Sequence, residues 1–274
     1  MSINFNRNRT QEEYESILGI SSVEDLAQNK QVFKDHVLSR EEANQLKIKL
    51  RQDAIDFFYS AIISFSEGID AIFLERYSWA TVKLYYSIFY LLRTSMACNG
   101  YALLRNSSMY RLKIAAGEMP YATNNKKYNS THGGTISHYK DVFTGTDVLL
   151  TNQIDDVDVY QWMENVRDII NYREVCFEDP ECLNVWNKYK EALNQSALTN
   201  LLELLTNDSE YIYCFQEEYA VVAIPIKRMQ QTIADLVAND LLSSISLDRI
   251  GYIKNIIKSD ERNISIFEDF EIIH

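Results

Sequence analysis

Ser78-Trp-Ala-Thr-Val-Lys-Leu-Tyr-Tyr-Ser-Ile-Phe-Tyr-Leu-Leu-Arg-Thr-Ser-Met-Ala-Cys98 carries two apolar stripes at helical spacing. Trp79, Val82, Tyr86, Phe89 and Met96 form one stripe, and Leu84, Ile88 and Leu91 form the second. A helix that is apolar on two faces needs neighbours on both, so this segment predicts the centre of a helical bundle. Asn99-Gly100 supplies its stop, because glycine adopts the left-handed backbone that closes a helix. Upstream, Leu46, Leu50, Ala54, Phe57, Phe58, Ala61 and Ile62 recur at three- and four-residue steps. They give a long helix over 40–76 with one buried stripe.

The punctuation agrees. Thr10-x-x-Glu13 and Ser39-x-x-Glu42 have the form of capping boxes, and Ser22-x-x-Asp25 starts a short turn. Among 274 residues there are only 8 Gly and 3 Pro, with 46% hydrophobic residues. That composition excludes disorder as the main state and disfavours a loop-rich β-sandwich.

Further along, the residues predict a helix over 107–117, a polar loop over 120–131, and a helix from Thr131 to about 142. Another helix spans 157–177, and Asp179-Pro180 predicts an N-cap opening a helix over 181–205. In the tail, Tyr211–Phe215 and Tyr219–Ile226 are β-branched and aromatic around Gln216-Glu217-Glu218, which reads as a hairpin. Helices over 228–243 and 247–258 follow. The expected architecture is therefore mainly α. It comprises an N-terminal helical extension (1–38), a helical bundle (39–206) and a small C-terminal α/β appendage of hairpin plus helices (207–274).

Acidic residues number 39 against 27 basic ones, for a net charge of −12. Such a field opposes indiscriminate binding to polyanions. The charge is uneven, however. Between Tyr101 and Gly145 six cations (Arg105, Arg111, Lys113, Lys126, Lys127, Lys140) face only Glu118 and Asp141, a balance of +4 that leaves −16 for the rest. Two of the four histidines, His132 and His138, lie in the same island, whereas His36 and His274 have no such neighbourhood. A polar cationic loop entering a helix N-terminus, with imidazoles able to move protons near neutral pH, is suited to phosphate chemistry. A solvated face or protein-docking surface is the alternative reading of the same cations.

Cys98, Cys176, Cys182 and Cys214 match no zinc spacing and read as small buried hydrophobes in a reducing compartment. No HExxH, GxSxG, EF-hand or Walker pattern occurs, so no metal or cofactor is expected. The sequence has no secretory leader and no apolar run long enough to span a membrane, which predicts a cytoplasmic protein. Tyr77, Tyr85, Tyr86 and Tyr90 read as packing residues rather than as a base-stacking platform. Arg93, Arg167 and Asp168 are expected in a structural ion pair or as auxiliary groups.

Three pieces carry a resemblance. Trp79–Phe89, continuing through Arg93 to Gly100, resembles the second helix of prokaryotic HEPN-domain proteins, with its A-x-x-x-Y-Y-x-x-F pattern. Thr131-His-Gly-Gly-Thr-Ile-Ser-His-Tyr-Lys-Asp-Val-Phe143 resembles their T-H-S/G-G-x-I-x-x-F segment, and Arg167-Asp-Ile-Ile-Asn-Tyr172 their R-x-x-A-D-Y helix. The resemblance implies a bundle of four or five helices, a homodimer, and a role in toxin–antitoxin, abortive-infection or other antiphage defence. Many members are metal-independent endoribonucleases with an R-x(4–6)-H motif.

This chain departs from that motif. The nearest forms are Lys127-x4-His132 and Lys126-x5-His132, and lysine lacks the planar fork of arginine. Asn171 also stands where the family has an acidic residue. Two functions are therefore expected. In one the chain cleaves RNA, with His132, Lys127 and His138 as the catalytic groups and Lys126, Arg111, Lys113 and Lys140 on the phosphates. In the other it is a degenerate subunit that binds and regulates an ATPase or nuclease encoded beside it, with strand 219–226 adding to a partner sheet.

Overall fold

A computed structural model describes residues 8–173, 176–177 and 179–258. The start of the 1–38 extension and the end of the 207–274 segment, with His274, lie outside the described residues. The chain is mainly helical, with a two-stranded hairpin. It divides into two units, Met1–Phe57 with Arg93–Asp141, and Phe58–Leu92 with Val142–His274. Among the described residues no helix is long and apolar enough to cross a membrane.

The first unit starts with α1 (Arg9–Ile17), α2 (Val23–Gln28) and α3 (Lys30–Asp35), and takes in the first half of α4 (Arg40–Phe73). Ser22 caps α2 through the Asp25 N–H at 3.0 Å. Ser39 and Glu42 form the predicted reciprocal box, Glu42 N–H to Ser39 Oγ at 3.2 Å and Ser39 N–H to Glu42 Oε2 at 2.7 Å. The Thr10–Glu13 box does not form. Asn8 caps α1 instead, accepting from Gln11 N–H, because the Thr10 hydroxyl is drawn to buried Asp53 of α4 at 2.5 Å. The Asp53 carboxylate also accepts from the Arg9 and Thr10 N–H groups, so it anchors the start of α1.

α5 (Tyr77–Cys98) ends at Gly100, whose φ of +82° is the left-handed stop the sequence predicts. The helix expected over 107–117 is instead a strand. β1 (Tyr101–Asn106) pairs antiparallel with β2 (Ser108–Lys113) across Ser107, which turns at φ +61°. A partial alternation underlies it: Leu104, Asn106, Tyr110 and Leu112 are buried while Arg105, Ser107 and Lys113 are exposed, a two-residue period that the buried Leu103 and Met109 interrupt. Tyr14, Phe33 and Tyr110 pack in this unit's core, Tyr14 edge-on to Phe33 at 5.0 Å and Phe33 tilted against Tyr110 at 5.5 Å between centroids. α6 (Thr131–Phe143) begins where predicted.

The second unit contains the remainder of α4 and α5, then β3 (Gln153–Ile154), β4 (Val157–Asp158), α7 (Val159–Asp168), α8 (Asn187–Asn194), α9 (Leu198–Thr206), α10 (Glu217–Ala238) and α11 (Leu247–Lys258). α7 continues as a π-helical turn over Ile169–Arg173. The single helix expected over 181–205 is two helices separated at Ser196, φ +56°. Asp179 does not cap it. Its carboxylate accepts at 3.0 Å from the Ser78 N–H in the first turn of α5, 101 residues away.

The expected C-terminal hairpin is absent. Ile212–Phe215 is a 3-10 turn, and Tyr219–Ile226 lies inside α10, Pro225 included. Every residue from Ala220 to Arg228 is buried. A helix enclosed on all sides shows the same continuous apolar run as a buried strand, so composition alone favours neither. Of the four cysteines only Cys214 is buried; Cys176 is exposed and Cys98 and Cys182 are intermediate. Tyr77 and Tyr85 pack in the core as expected, whereas Trp79, placed in an apolar stripe by its spacing, is 48% exposed.

Candidate functional site

The cationic island folds within the first unit as the β1–β2 hairpin, the loop to Ser130, and α6. Asn125 caps a short 3-10 turn, Lys126–Tyr128, by accepting from the Lys127 N–H at 3.1 Å. This turn folds back on α6. A Cβ at Gly134 would lie 2.6 Å from the Tyr128 carbonyl oxygen and 3.0 Å from Met109 Sδ, so only glycine admits the contact.

The closure leaves Lys126 and Lys127 exposed beside the α6 N-terminus, where His132 is half-buried in the first turn. Arg105, exposed on β1, donates to the Thr131 hydroxyl at the same helix end. No acid lies in that turn, and the helix dipole adds a partial positive charge. Imidazole, lysines, arginine and backbone N–H groups together can hold anionic oxygens and move a proton.

The other end of α6 is organised differently. Arg111 donates to Asp141 at 3.2 Å and to the His138 carbonyl at 3.3 Å, and stacks 4.9 Å over Tyr121. Tyr128 donates its hydroxyl to Asp141 at 2.8 Å. Arg111 is thus tied to an acid and an aromatic ring, a positioning arrangement rather than an open phosphate clamp. Lys113 is exposed at the end of β2 and Lys140 is half-buried on α6.

His138 is fully buried, with the Tyr128 ring edge-on at 4.8 Å, so no substrate reaches it in this structure and its expected catalytic role is not supported. Neither ring nitrogen has a hydrogen-bond partner. Burial, with Arg111 second, pushes its pKa down to about 4, against the opposing influence of Asp141 and the Met109 backbone. The unfolded chain takes up this proton near 6.5 and the folded chain only near 4. Stability is therefore complete above pH 6.5 and falls between 6.5 and 4, by up to about 3 kcal/mol. We expect wild type to lose melting temperature over that range more steeply than His138→Leu; parallel curves would exclude His138 as the cause.

In the second unit Arg167, 4% exposed, pairs with Asp168 at 2.9 Å and its guanidinium lies 4.4 Å over the Tyr85 ring. Arg93 belongs to the first unit and stacks over Phe57 at 4.4 Å. Two features escaped the sequence reading. Arg105 counted toward the island's charge, but only the strand brings it to Thr131, 26 residues away. Asp147, Tyr160 and Arg228 form a buried cluster whose signal, two cations at the end of an apolar run, was masked by the hairpin reading. No protein-family model, curated protein or solved structure matches the chain.

Proposed function

We propose that the chain is a HEPN-like protein of a bacterial antiphage-defence or toxin–antitoxin system, acting on RNA as a metal-independent endoribonuclease and working as a homodimer. The observation that carries this is the fold-back of the Lys126–Tyr128 turn onto Gly134, which sets two exposed lysines beside the helix end that holds His132. Attack of a ribose 2′-OH on its own phosphate needs a proton acceptor and a cation to neutralise the charge that builds on phosphorus-bound oxygens. His132 takes the proton, and Lys127 with Lys126 holds the phosphate. The −16 carried by the rest of the chain disfavours RNA elsewhere.

The test is incubation of the full chain with total RNA in a metal chelator. Wild type is expected to cleave, and His132→Ala to lose activity by about 10²–10⁴-fold, the usual contribution of a positioned acid–base. Cleavage that persists unchanged in His132→Ala sinks the assignment.

One observation favours the second reading, a degenerate subunit that docks a partner ATPase or nuclease. In the second unit Trp79 (48% exposed) and Phe177 (43%) pack edge-on at 5.4 Å, and Tyr172 is 74% exposed. Exposed aromatics of this size are enriched at interfaces. Residues 219–226 cannot dock by strand addition, because they lie within a helix. A chain that cleaves no RNA yet co-purifies with the product of a neighbouring gene would favour this reading.

A further inference from the structure

His138 is a buried titratable group that the proposed RNA chemistry does not use, and the loop that carries Lys126 and Lys127 is part of what buries it. Two tyrosines of that loop clasp the ring edge-on, Tyr128 at 4.8 Å and Tyr121 at 6.4 Å between centroids. Each is tied down a second time. Tyr121 exchanges backbone hydrogen bonds with Arg111 of β2, donating at 2.8 Å and accepting at 3.0 Å, and Tyr128 donates its hydroxyl to Asp141 at 2.8 Å. Residues 121–128 therefore form a strap across α6, fastened at both ends beside one imidazole.

The clasp suits only a neutral ring. The charged and titratable groups around it are Arg111 from β2, Asp141 from α6 itself, and the two phenols of the strap. Arg111 places another positive charge close by. Asp141 is engaged on both oxygens, one accepting from Tyr128 and the other from Arg111, and neither bonds the imidazole. Both ring nitrogens are enclosed without a hydrogen-bond partner, whereas an imidazolium has two N–H groups to satisfy. Burial without such partners penalises the cation heavily, so the ring takes up a proton readily only where water can reach it.

We propose that the strap is an acid-sensitive latch: protonation of His138 releases residues 121–128 from α6 and carries Lys126 and Lys127 away from His132. The latch itself does not depend on the nuclease reading; only its consequence, RNA cleavage switched off in acid, rests on that reading. Linkage fixes the direction. A hydrated ring binds its proton near pH 6.5 and the clasped ring only near 4, so each pH unit of acidification between those limits multiplies the open fraction by about ten.

Amide hydrogen exchange of the full chain between pH 6.5 and 5, above the ordinary carboxylate range, tests the latch. After correction for the intrinsic pH dependence of exchange, the Arg111 and Tyr121 N–H groups, which bond across the bridge, are expected to lose protection by about tenfold per pH unit. In His138→Leu, which keeps the other histidines, that loss should disappear. The N–H of Leu50, buried in the same unit's part of α4, is expected to stay at least tenfold better protected throughout. An unchanged slope in His138→Leu places the titration elsewhere, and protection at Tyr121 equal to that at Leu50 makes the opening a global unfolding; either result overturns the proposal. Should His138→Leu fail to fold, the NMR titration of the His138 ring decides. A midpoint well below 6.5 in wild type that returns toward 6.5 in Tyr128→Ala supports the latch, and an equal midpoint in both rejects it. Exchange reads the latch without RNA, so its failure and that of the nuclease reading are separate results.

Discussion

Asp147→Ala is expected to destabilise the protein by about 3–5 kcal/mol, the range for breaking a buried ion pair from one side. The side chains of Asp147 and Arg228 are 1% and 3% exposed and meet at 3.3 Å. The same carboxylate accepts from the Tyr160 hydroxyl and from the Leu149 N–H at 2.9 Å, where it caps the Val148–Leu150 turn. Removing it leaves a guanidinium from α10 in the core without its buried anion, and takes the Asp147 acceptor from the buried Tyr160 hydroxyl. Gln231, Thr232 and Asp235 still hold Arg228 in place, which makes the charge unable to escape to water. A loss of this size corresponds to a melting temperature lower by roughly 10 °C for a chain of this length. Asp235→Ala, which removes a side chain that is 30% exposed, is expected to cost less than about 1 kcal/mol. The double replacement Asp147→Leu with Arg228→Met should cost less than Asp147→Ala alone, because it removes both buried charges. Equal melting curves for Asp147→Ala and Asp235→Ala would refute this account.

The same cluster shows what the sequence could and could not reveal. Helix starts were legible at Ser22 and Ser39, where the cap's target lies three residues on, but not at Thr10, whose equally spaced box is lost because the hydroxyl goes to Asp53; the stop at Gly100 was legible because glycine alone takes that backbone freely. Asp179 carries an equally good local signal for a different helix, since a carboxylate caps any helix end that the fold brings to it, and the fold brings it Ser78. The run Tyr219–Ile226 was ambiguous for another reason. Periodicity needs a polar face to register, and α10 has none there.

The island on α6 was legible as charge but not as function. His132 and His138 are six residues apart, about 120° around the helix, so one side chain faces outward when the other faces in. The stripe Gly134, Thr135, Ile136, His138 and Tyr139 is buried, and that stripe could have separated the two histidines in advance. Arg105 was beyond such reasoning. Its place at Thr131 depends on a strand pairing whose local pattern was taken for a helix.

Gly134→Ala tests whether the closure of the loop makes the site. In an isolated helix the change would stabilise by about 1 kcal/mol, because alanine orders more readily than glycine. Here the added carbon would lie 2.6 Å from the Tyr128 carbonyl oxygen and 3.2 Å from its carbon. Backbone atoms cannot turn aside as a flexible side chain does, so the Lys126–Tyr128 turn has to move. Its anchors resist: the Tyr128 hydroxyl is fixed on Asp141 and its ring on His138. Overpacking against a held segment costs about 1–3 kcal/mol, which outweighs the gain in propensity. We expect a melting temperature lower by several degrees together with RNA cleavage reduced by about tenfold or more, as the lysines leave His132. Gly145→Ala, with no atom within 4 Å of the new carbon, is the matched control and should change neither. If Gly134→Ala lowers stability and leaves cleavage intact, the fold-back does not place the phosphate-binding groups, and the role given to Lys126 and Lys127 is overturned.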